Sequence, residues 1–305
     1  MPVRPSPRPA AALVALLVLL SGCTADQPEA APDRPDDSTG ASVAPEVQRY
    51  VALGDSYTAA PGVPLTDVAD GCFRSDGNYP ALVAAQLDAE LVDVSCSGAD
   101  TSDVTGRQLR GVPPQQRALT ADTDLVTVGL GGNDGGVFQQ LVSRCRSVAP
   151  QMGETEPTGE TCPPALDAAT TDRIAATIDQ TADRLAEVFR LVQQRAPEAR
   201  VLAVGYPQIL NADRTCDELP LTESDQRAAA QLAEQLDDTV RRAAEETGVD
   251  FLDVNAATEG HDICAEEPWV NGIVTDQRRA IAFHPFVEEQ EAVAALVLEA
   301  VRAAD

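Results

Sequence analysis

The sequence predicts an α/β fold of three layers, in which a parallel five-stranded sheet with the flavodoxin-like strand order 2-1-3-4-5 lies between helices. Five short apolar runs alternate with helical patterns over residues 47–305, and no internal repeat is evident. Strands that are separated by helices form parallel sheets covered on both faces. Small and polar residues follow the first three runs directly, which is typical of sheets that bind ligands at the carboxyl ends of their strands.

Each strand is predicted from a run of apolar and β-branched residues bounded by polar or turn-forming residues. The third run is the clearest, because it continues from Asp124 to Leu130 and two glycines follow it. The five predicted strands span residues 47–53, 90–94, 124–130, 200–204 and 249–254.

Helices are predicted over residues 79–87, 171–195, 222–247 and 288–303. In the second of them, apolar residues recur at helical spacing and Pro197 follows the end. These apolar residues are Ile174, Ile178, Leu185, Val188, Leu191 and Val192. Gly248 follows the third helix, where a glycine that can adopt left-handed backbone angles ends a helix readily.

The N-terminus has the pattern of a targeting segment. Arg4 and Arg8 precede an apolar stretch, residues 10–20, that is too short to span a bilayer comfortably. The stretch runs into a Leu-Ser-Gly-Cys sequence at Cys23, which is similar to a bacterial lipobox. We therefore expect residues 1–22 to be a lipoprotein signal peptide and Cys23 to carry the lipid. Ordinary secretion, with Cys23 an incidental residue, is the alternative.

Composition divides the rest of the chain in two. Residues 23–46 are rich in Pro, Ala, Asp and Ser and have little to bury, which predicts a disordered tether. Residues 47–305 suffice for one α/β domain with a sizeable core. Without Cys23, six of the seven cysteines remain. An even number is typical of proteins in an oxidising compartment, where cysteines pair as disulfides.

The charge balance is strongly acidic. The chain has 22 Arg and no Lys against 49 Asp plus Glu, a formal net charge of −27. Such a surface is repelled by nucleic acid and by anionic lipid head groups, so a polyanionic partner is not expected. Charge alone does not identify a substrate, and a solvated acidic surface accounts for it equally well.

The first apolar run ends in Gly54-Asp55-Ser56, which places a hydroxyl where a strand gives way to a loop. This is the usual position of a nucleophile in an open α/β sheet. Taken alone, Ser56 is better interpreted as a turn or N-cap serine. The surrounding residues do not form the Gly-x-Ser-x-Gly elbow that α/β-hydrolases carry.

Three further short blocks lie downstream. Ser95 to Gly98 follows the second strand, and Gly131 to Asp134 follows the third. In the predicted order the first strand lies between the second and the third, so that Ser56, Gly98 and Asn133 meet at one crevice. Phe283-His284-Pro285 is the last block, and His284 is one of only two histidines. The other, His261, lies three residues before a cysteine and is interpreted as structural.

These four blocks, in this order, resemble those of the SGNH (GDSL-type) hydrolases. The resemblance is strongest to a secreted actinobacterial esterase and lipase subgroup. It implies that Ser56 is the nucleophile and His284 the base. It also implies an oxyanion hole formed by the main-chain N–H groups of Ser56 and Gly98 and by the side-chain amide of Asn133.

The sequence departs from the common family pattern beside the histidine. Many members have Asp three residues before it, where this chain has Ile281. In the subgroup a main-chain carbonyl near this position orients the imidazole, and we expect that carbonyl to belong to Ile281. The subgroup often continues His-Pro-Asn and then a glycine, whereas Phe286 and Val287 stand here.

The resemblance also implies a disulfide pairing. Six cysteines allow 15 connectivities, so their spacing does not decide among them. The subgroup pairs its cysteines in chain order, which here gives Cys72–Cys96, Cys145–Cys162 and Cys216–Cys264. No Cys-x-x-Cys pair is present, so the sequence gives no reason to expect a metal site.

Taken together, these features predict an extracytoplasmic esterase or lipase that acts through a serine acyl-enzyme without a cofactor. We expect a monomer that acts on a small-molecule or lipid acyl ester and is held to the membrane through Cys23. One group of alternatives keeps the fold: a carbohydrate O-acetyl esterase, a phospholipase or an acyltransferase. The other alternative is an inactive surface lipoprotein that binds a ligand in the crevice.

Overall fold

The computed structural model of the protein describes residues 47–150, 154 and 156–303. The predicted signal peptide (residues 1–22), the predicted tether (residues 23–46) and Cys23 lie outside the described residues. Within the described part, no helix is long and apolar enough to cross a membrane.

Five parallel strands form the central sheet, in the order β2-β1-β3-β4-β5. This confirms the predicted fold class and strand order. Their bounds are β1 Arg49–Gly54, β2 Glu90–Asp93, β3 Leu125–Gly129, β4 Arg200–Val204 and β5 Asp250–Leu252. Strand β1 lies between β2 and β3, with Tyr50 opposite both Leu91 and Leu125. A separate two-stranded antiparallel ladder joins Thr66–Asp67 to Arg74–Ser75.

The helices begin at side chains that cap them. Asn78, Asp167 and Thr222 each accept a backbone N–H bond from the first turn of the helix that follows. The cap at Asp167 starts the second predicted helix three residues earlier than its apolar spacing indicated. Gly248 ends the third with φ 70°, as predicted. The bounds are α1 Ser56–Ala59, α2 Tyr79–Leu87, α3 Val137–Val142, α4 Ala168–Arg195, α5 Glu223–Thr247, α6 Val254–Ala257 and α7 Val287–Arg302.

Helices cover both faces of the sheet, which is why the strands are apolar throughout instead of alternating. On one face, α4 and α5 pack against β1 and β3 through Leu185, Phe189, Val192, Val240, Val51, Leu53, Val126 and Val128. On the other face, α2 and α7 pack against β1, β3 and β4 through Val83, Val293, Val297, Tyr50, Ala52, Leu125 and Leu202.

The three disulfides Cys72–Cys96, Cys145–Cys162 and Cys216–Cys264 confirm the pairing that the family resemblance implied. The first ties the loop after α1 to the loop after β2. Cys96 also donates its main-chain N–H to the carbonyl of Gly54, at 3.0 Å. The loops that follow the first two strands are therefore fastened to each other at the carboxyl edge of the sheet.

Candidate active site

Ser56 is the first residue of α1, two residues after β1 ends. Asp55 caps this short helix by accepting the N–H of Tyr57 at 2.8 Å. A Cβ at Gly54 would collide with the side chain of Thr58, so the tight turn into α1 requires glycine there. The turn leaves the main-chain N–H of Ser56 without an acceptor among the described residues. The hydroxyl of Ser56 lines an apolar pocket at this edge of the sheet.

Asp55 joins the turn that carries Ser56 to the loop after β3. Its other carboxylate oxygen accepts the hydroxyl of Tyr206 at 2.6 Å, and that hydroxyl accepts the N–H of Gly132 at 2.8 Å. Burial raises the pKa of Asp55 to about 6, although the bonds from Tyr206 and Tyr57 oppose that shift. Tyr206 was not among the residues predicted from the sequence. The signal that was available is its position two residues after β4, at the same edge of the sheet.

Gly98 lies in the loop after β2 with φ +80°, a conformation that glycine adopts without strain. In the described part of the chain its main-chain N–H donates to no acceptor. The side chain of Gln108 holds the preceding peptide by donating to the carbonyl of Ser97 at 2.8 Å. The loop therefore presents a free backbone donor of the kind that an oxyanion hole uses.

Asn133 lies in the loop after β3 and is hydrogen-bonded to the Gly98 loop. Its side-chain amide donates to the carbonyl of Ala99 at 3.0 Å, which leaves a second amide hydrogen for another acceptor. The next residue, Asp134, reinforces this junction. Its buried carboxylate accepts the hydroxyl of Thr101 at 2.6 Å and the guanidinium of Arg184 at 2.8 Å. Ser56, Gly98 and Asn133 thus stand on loops that are hydrogen-bonded to one another.

His284 lies in a tight turn. One carbonyl of this turn lies against the imidazole ring, and another accepts a main-chain N–H. The ring nitrogen Nδ1 lies 2.8 Å from the carbonyl oxygen of Ala282. The expectation that Ile281 supplies this carbonyl is therefore wrong. The Ile281 carbonyl instead accepts the main-chain N–H of His284 at 3.2 Å and the amide of Asn271 at 3.2 Å. Phe283 takes a left-handed φ of 61°, and the carbonyl that reaches the ring is the one two residues before His284.

This arrangement fixes the chemical form of the His284 imidazole. Burial lowers the pKa of His284 to about 4, so the ring is neutral at pH 7. When Nδ1–H donates to Ala282, the lone pair is on Nε2, which can accept a proton. No carboxylate is hydrogen-bonded to the ring in the described part of the chain.

The structure does not join the two predicted catalytic residues directly. Among the described residues there is no hydrogen bond between the Ser56 hydroxyl and the His284 ring. Such bonds are often long in substrate-free enzymes and tighten when substrate binds. The side chain that spans the two positions is Tyr57, whose ring stacks on His284 with centroids 5.6 Å apart.

An apolar pocket opens beside Ser56 and Asn133. The empty space within the pocket and in the open solvent at its mouth is about 1000 Å³. Its apolar lining comes from α3, α5 and several loops, and includes Phe138, Ile209, Leu210, Leu219, Leu221, Leu232, Leu236 and Phe283. This pocket was not predicted from the sequence, because its walls come from segments far apart in the chain.

The second histidine has a separate environment. The ring of His261 stacks on Trp269 with centroids 3.7 Å apart, and its Nδ1 lies 2.8 Å from the carbonyl oxygen of Glu267. Both contacts are within its own loop. In the part of the chain that the structure describes, no cluster of three or more His, Cys, Asp or Glu side chains could hold a metal ion.

Known proteins resemble this chain in sequence and in fold. The model of the GDSL-like Lipase/Acylhydrolase family matches residues 52–288. Lipase 2 of Streptomyces coelicolor is 42% identical over 219 residues, which are 70% of this chain and 72% of that protein. A lipase of Streptomyces rimosus is 32% identical over 83% of this chain and 87% of its own.

Two crystal structures resemble the chain over most of its length. The extracellular lipase of Streptomyces rimosus superposes with a TM-score of 0.67 at 30% identity, over 83% of this chain and 99% of that one. Phospholipase A1 of Streptomyces albidoflavus superposes with a TM-score of 0.66 at 30% identity, over 84% of this chain and all of that one.

Proposed function

Because the chain belongs to the GDSL-like lipase and acylhydrolase family, and is a hydrolase of its lipase and esterase kind, we propose that it cleaves carboxylic esters with Ser56 as nucleophile and His284 as base. The observation that carries this proposal is the convergence of three blocks. Ser56 and Asn133 line one pocket, and the Asn133 amide is bonded to the loop of Gly98, whose N–H donates to no acceptor among the described residues.

The reaction follows from these groups in two steps. The Nε2 of His284 takes the proton of Ser56 as its oxygen attacks the ester carbonyl. The N–H groups of Ser56 and Gly98 and the amide of Asn133 stabilise the oxyanion that forms. The alcohol leaves with the proton from the imidazolium. Water, deprotonated by the same histidine, then attacks the acyl-enzyme. The bond to the Ser56 oxygen breaks, the imidazolium returns its proton to that oxygen, and the acid is released.

The pocket supports an ester with an apolar acyl chain as the substrate. Hydrocarbon side chains dominate its lining, and burying an acyl chain among them gains about 0.8 kcal/mol per methylene. An acetyl group would leave most of this surface unused, which argues against a carbohydrate O-acetyl esterase. A ligand-binding lipoprotein would not need free oxyanion donors beside a serine hydroxyl. Triacylglycerol and phospholipid esters share the acyl chain, so the pocket favours neither.

A panel of p-nitrophenyl esters from acetate to palmitate tests the acyl-chain proposal. We expect kcat/KM to rise from acetate towards medium and long chains, because each added methylene is buried in the pocket. Highest activity on acetate would favour the O-acetyl esterase. Activity on none of the esters, with a folded protein, would favour the binding lipoprotein.

Blocking the pocket gives a sharper test. Ala233 lies on α5 and lines the pocket, so Ala233→Phe should fill it. We expect kcat/KM for the long-chain esters to fall by at least about tenfold while kcat/KM for acetate changes little. Gln231→Phe is the matched control, because Gln231 is exposed on the same helix and is not part of the lining. Equal losses on all chain lengths would contradict the acyl assignment.

We also propose that the enzyme works outside the cytoplasm, anchored to the membrane through Cys23. The three disulfides support an oxidising compartment, and the lipobox-like sequence supports the anchor. Intact-mass analysis of membrane-extracted protein should show a diacylglyceryl adduct on Cys23, and Cys23→Ser should move the protein into the medium. Wild-type protein found only in the medium, without the adduct, would instead support ordinary secretion.

A further inference from the structure

Among the described residues, no carboxylate is bonded to the His284 ring as one would be in a serine triad. The triad carboxylate has two roles: it fixes the tautomer and orientation of the imidazole, and it stabilises the imidazolium that forms during the reaction. The carbonyl of Ala282 takes the first role through its bond to Nδ1. A neutral carbonyl gives much less to the second role. The ring is also buried, which disfavours its cation.

Tyr57 is the side chain best placed to take the second role. Its ring is stacked on the His284 ring, with the centroids 5.6 Å apart and the planes 27° from parallel. A cation within about 6 Å of the face of an aromatic ring is attracted by the ring's quadrupole. The stacked geometry presents that face to the imidazole.

Both ends of Tyr57 are fixed. Its main-chain N–H is bound by Asp55, and its carbonyl accepts the side-chain amide of Gln290 at 3.0 Å. At the far end, its hydroxyl donates to the carbonyl of Phe283 at 2.8 Å, one residue before His284. Tyr57 therefore connects the residue next to Ser56 with the loop that carries the base.

We propose that Tyr57 is a positioning residue that holds the His284 imidazole against α1 and stabilises its cation with the ring face while Ser56 gives up its proton. The inference rests on the proposed Ser56–His284 pair. Two residues then share the roles of a triad acid: the main-chain carbonyl of Ala282 orients the imidazole, and the ring face of Tyr57 stabilises its positive charge.

Among the described residues, neither Glu289 nor Asp55 supplies the negative charge that would stabilise the His284 cation beside Tyr57. Glu289 on α7 is buried, and burial raises its pKa to about 8, so it is largely neutral at pH 7. Asp55 is bonded to Tyr206 and to the N–H of Tyr57 rather than to the histidine. Burial, with Glu289 and Asp55 nearby, holds the pKa of Tyr57 well above its ordinary value, so its hydroxyl stays a donor.

The test compares Tyr57→Phe with Tyr57→Leu. Phenylalanine keeps the stacked face and loses only the hydroxyl bond, whereas leucine loses both. We expect kcat of the leucine variant to lie about 2- to 30-fold below that of the phenylalanine variant, the range that corresponds to a cation–π contact. Because Tyr57 also lines the pocket, KM is compared on p-nitrophenyl acetate, whose acetyl group leaves most of that surface unused, and it should be nearly the same in both variants.

The His284 pKa provides a readout that a purely structural role would not move. A ring that stabilises the cation raises this pKa, so its removal should lower the pKa by about 0.4 to 1.5 in Tyr57→Leu, with Tyr57→Phe close to wild type. An NMR titration of the imidazole measures it directly. Because the chain has only two histidines, His261→Gln assigns the signal.

Two outcomes would overturn the inference: an unchanged or raised His284 pKa in Tyr57→Leu, or equal losses of kcat in both variants. Failure of the proposed function is distinguishable from either, because it would appear as activity retained in His284→Ala. The NMR titration does not depend on that activity.

Discussion

Replacing either Ser56 or His284 with alanine is expected to lower kcat by about a million-fold, and replacing both should cost little more than replacing one. The nucleophile and its base act as a unit, because the hydroxyl is a weak nucleophile until Nε2 takes its proton. The oxyanion donors remain in each variant, so a residual rate of about 1,000- to 10,000-fold over water should persist. Steady-state kinetics on a p-nitrophenyl ester, with circular dichroism to verify folding, measures both effects.

The second histidine gives the control for this prediction. His261 stacks on Trp269 and is bound within its own loop, so His261→Ala should keep nearly wild-type kcat. Loss of activity in His261→Ala comparable to that in His284→Ala, with both proteins folded, would contradict the assignment of the base.

The same kinetic measurements test whether a carboxylate acts on His284 as a triad acid. Asp276 accepts the N–H of Arg278, and Asp253 caps α6 by accepting the N–H of Ala256, so neither carboxylate is bonded to His284. Asp276→Asn and Asp253→Asn should therefore keep most activity. Ile281→Ala should keep it as well, because the side chain of Ile281 contributes nothing to the bond at Nδ1. A loss of several hundred-fold in either Asp variant would mean that a displaced acid completes a triad.

Asn133→Ala is expected to lower kcat and kcat/KM about equally, by roughly 100- to 1,000-fold, with KM near its starting value. The physical reason is that the amide donates to charge that exists only in the transition state. The wild-type amide also holds the carbonyl of Ala99, so the variant needs a structural control. A rise in KM alone would make Asn133 a substrate-positioning residue.

Asp134→Asn provides that control. Asp134 is buried next to Asn133. It fastens the same two loops through Thr101 and also bonds to Arg184 on α4, but its carboxylate has no hydrogen to offer an oxyanion. The substitution should lower Tm while reducing kcat far less than Asn133→Ala does. Equal losses of kcat in the two variants would mean that loop displacement, rather than a lost donor, explains the effect at Asn133.

The sequence by itself determined the parallel sheet and the position of Ser56 directly after its first strand. Alternating periodicities predicted a parallel sheet, and the predicted strand order fitted both this pattern and the family resemblance. The blocks that contain Ser56, Gly98 and Asn133 each follow a strand, and these three strands are neighbours in the predicted order. Their meeting at one edge of the sheet could therefore be predicted. These features depend on residues close in sequence and on a small set of connection rules.

The family resemblance, and not spacing, supplied the disulfide pairing that the structure confirms. The same resemblance led to Ile281 as the source of the orienting carbonyl, and there the structure corrects it to Ala282. The difference is a single residue in a turn. It depends on the left-handed φ of Phe283, which a non-glycine residue adopts only when its surroundings hold it there.

Only the tertiary structure decided how the site is held together. Tyr57 bonds to Phe283 across 226 positions of the chain, and Tyr206 bonds to Asp55 across 151. The walls of the acyl pocket come from equally distant segments. Such contacts leave no periodic signal, because they depend on how packed helices and loops place single side chains. The sequence therefore determined which groups meet at the crevice, and the packed fold decided what orients them.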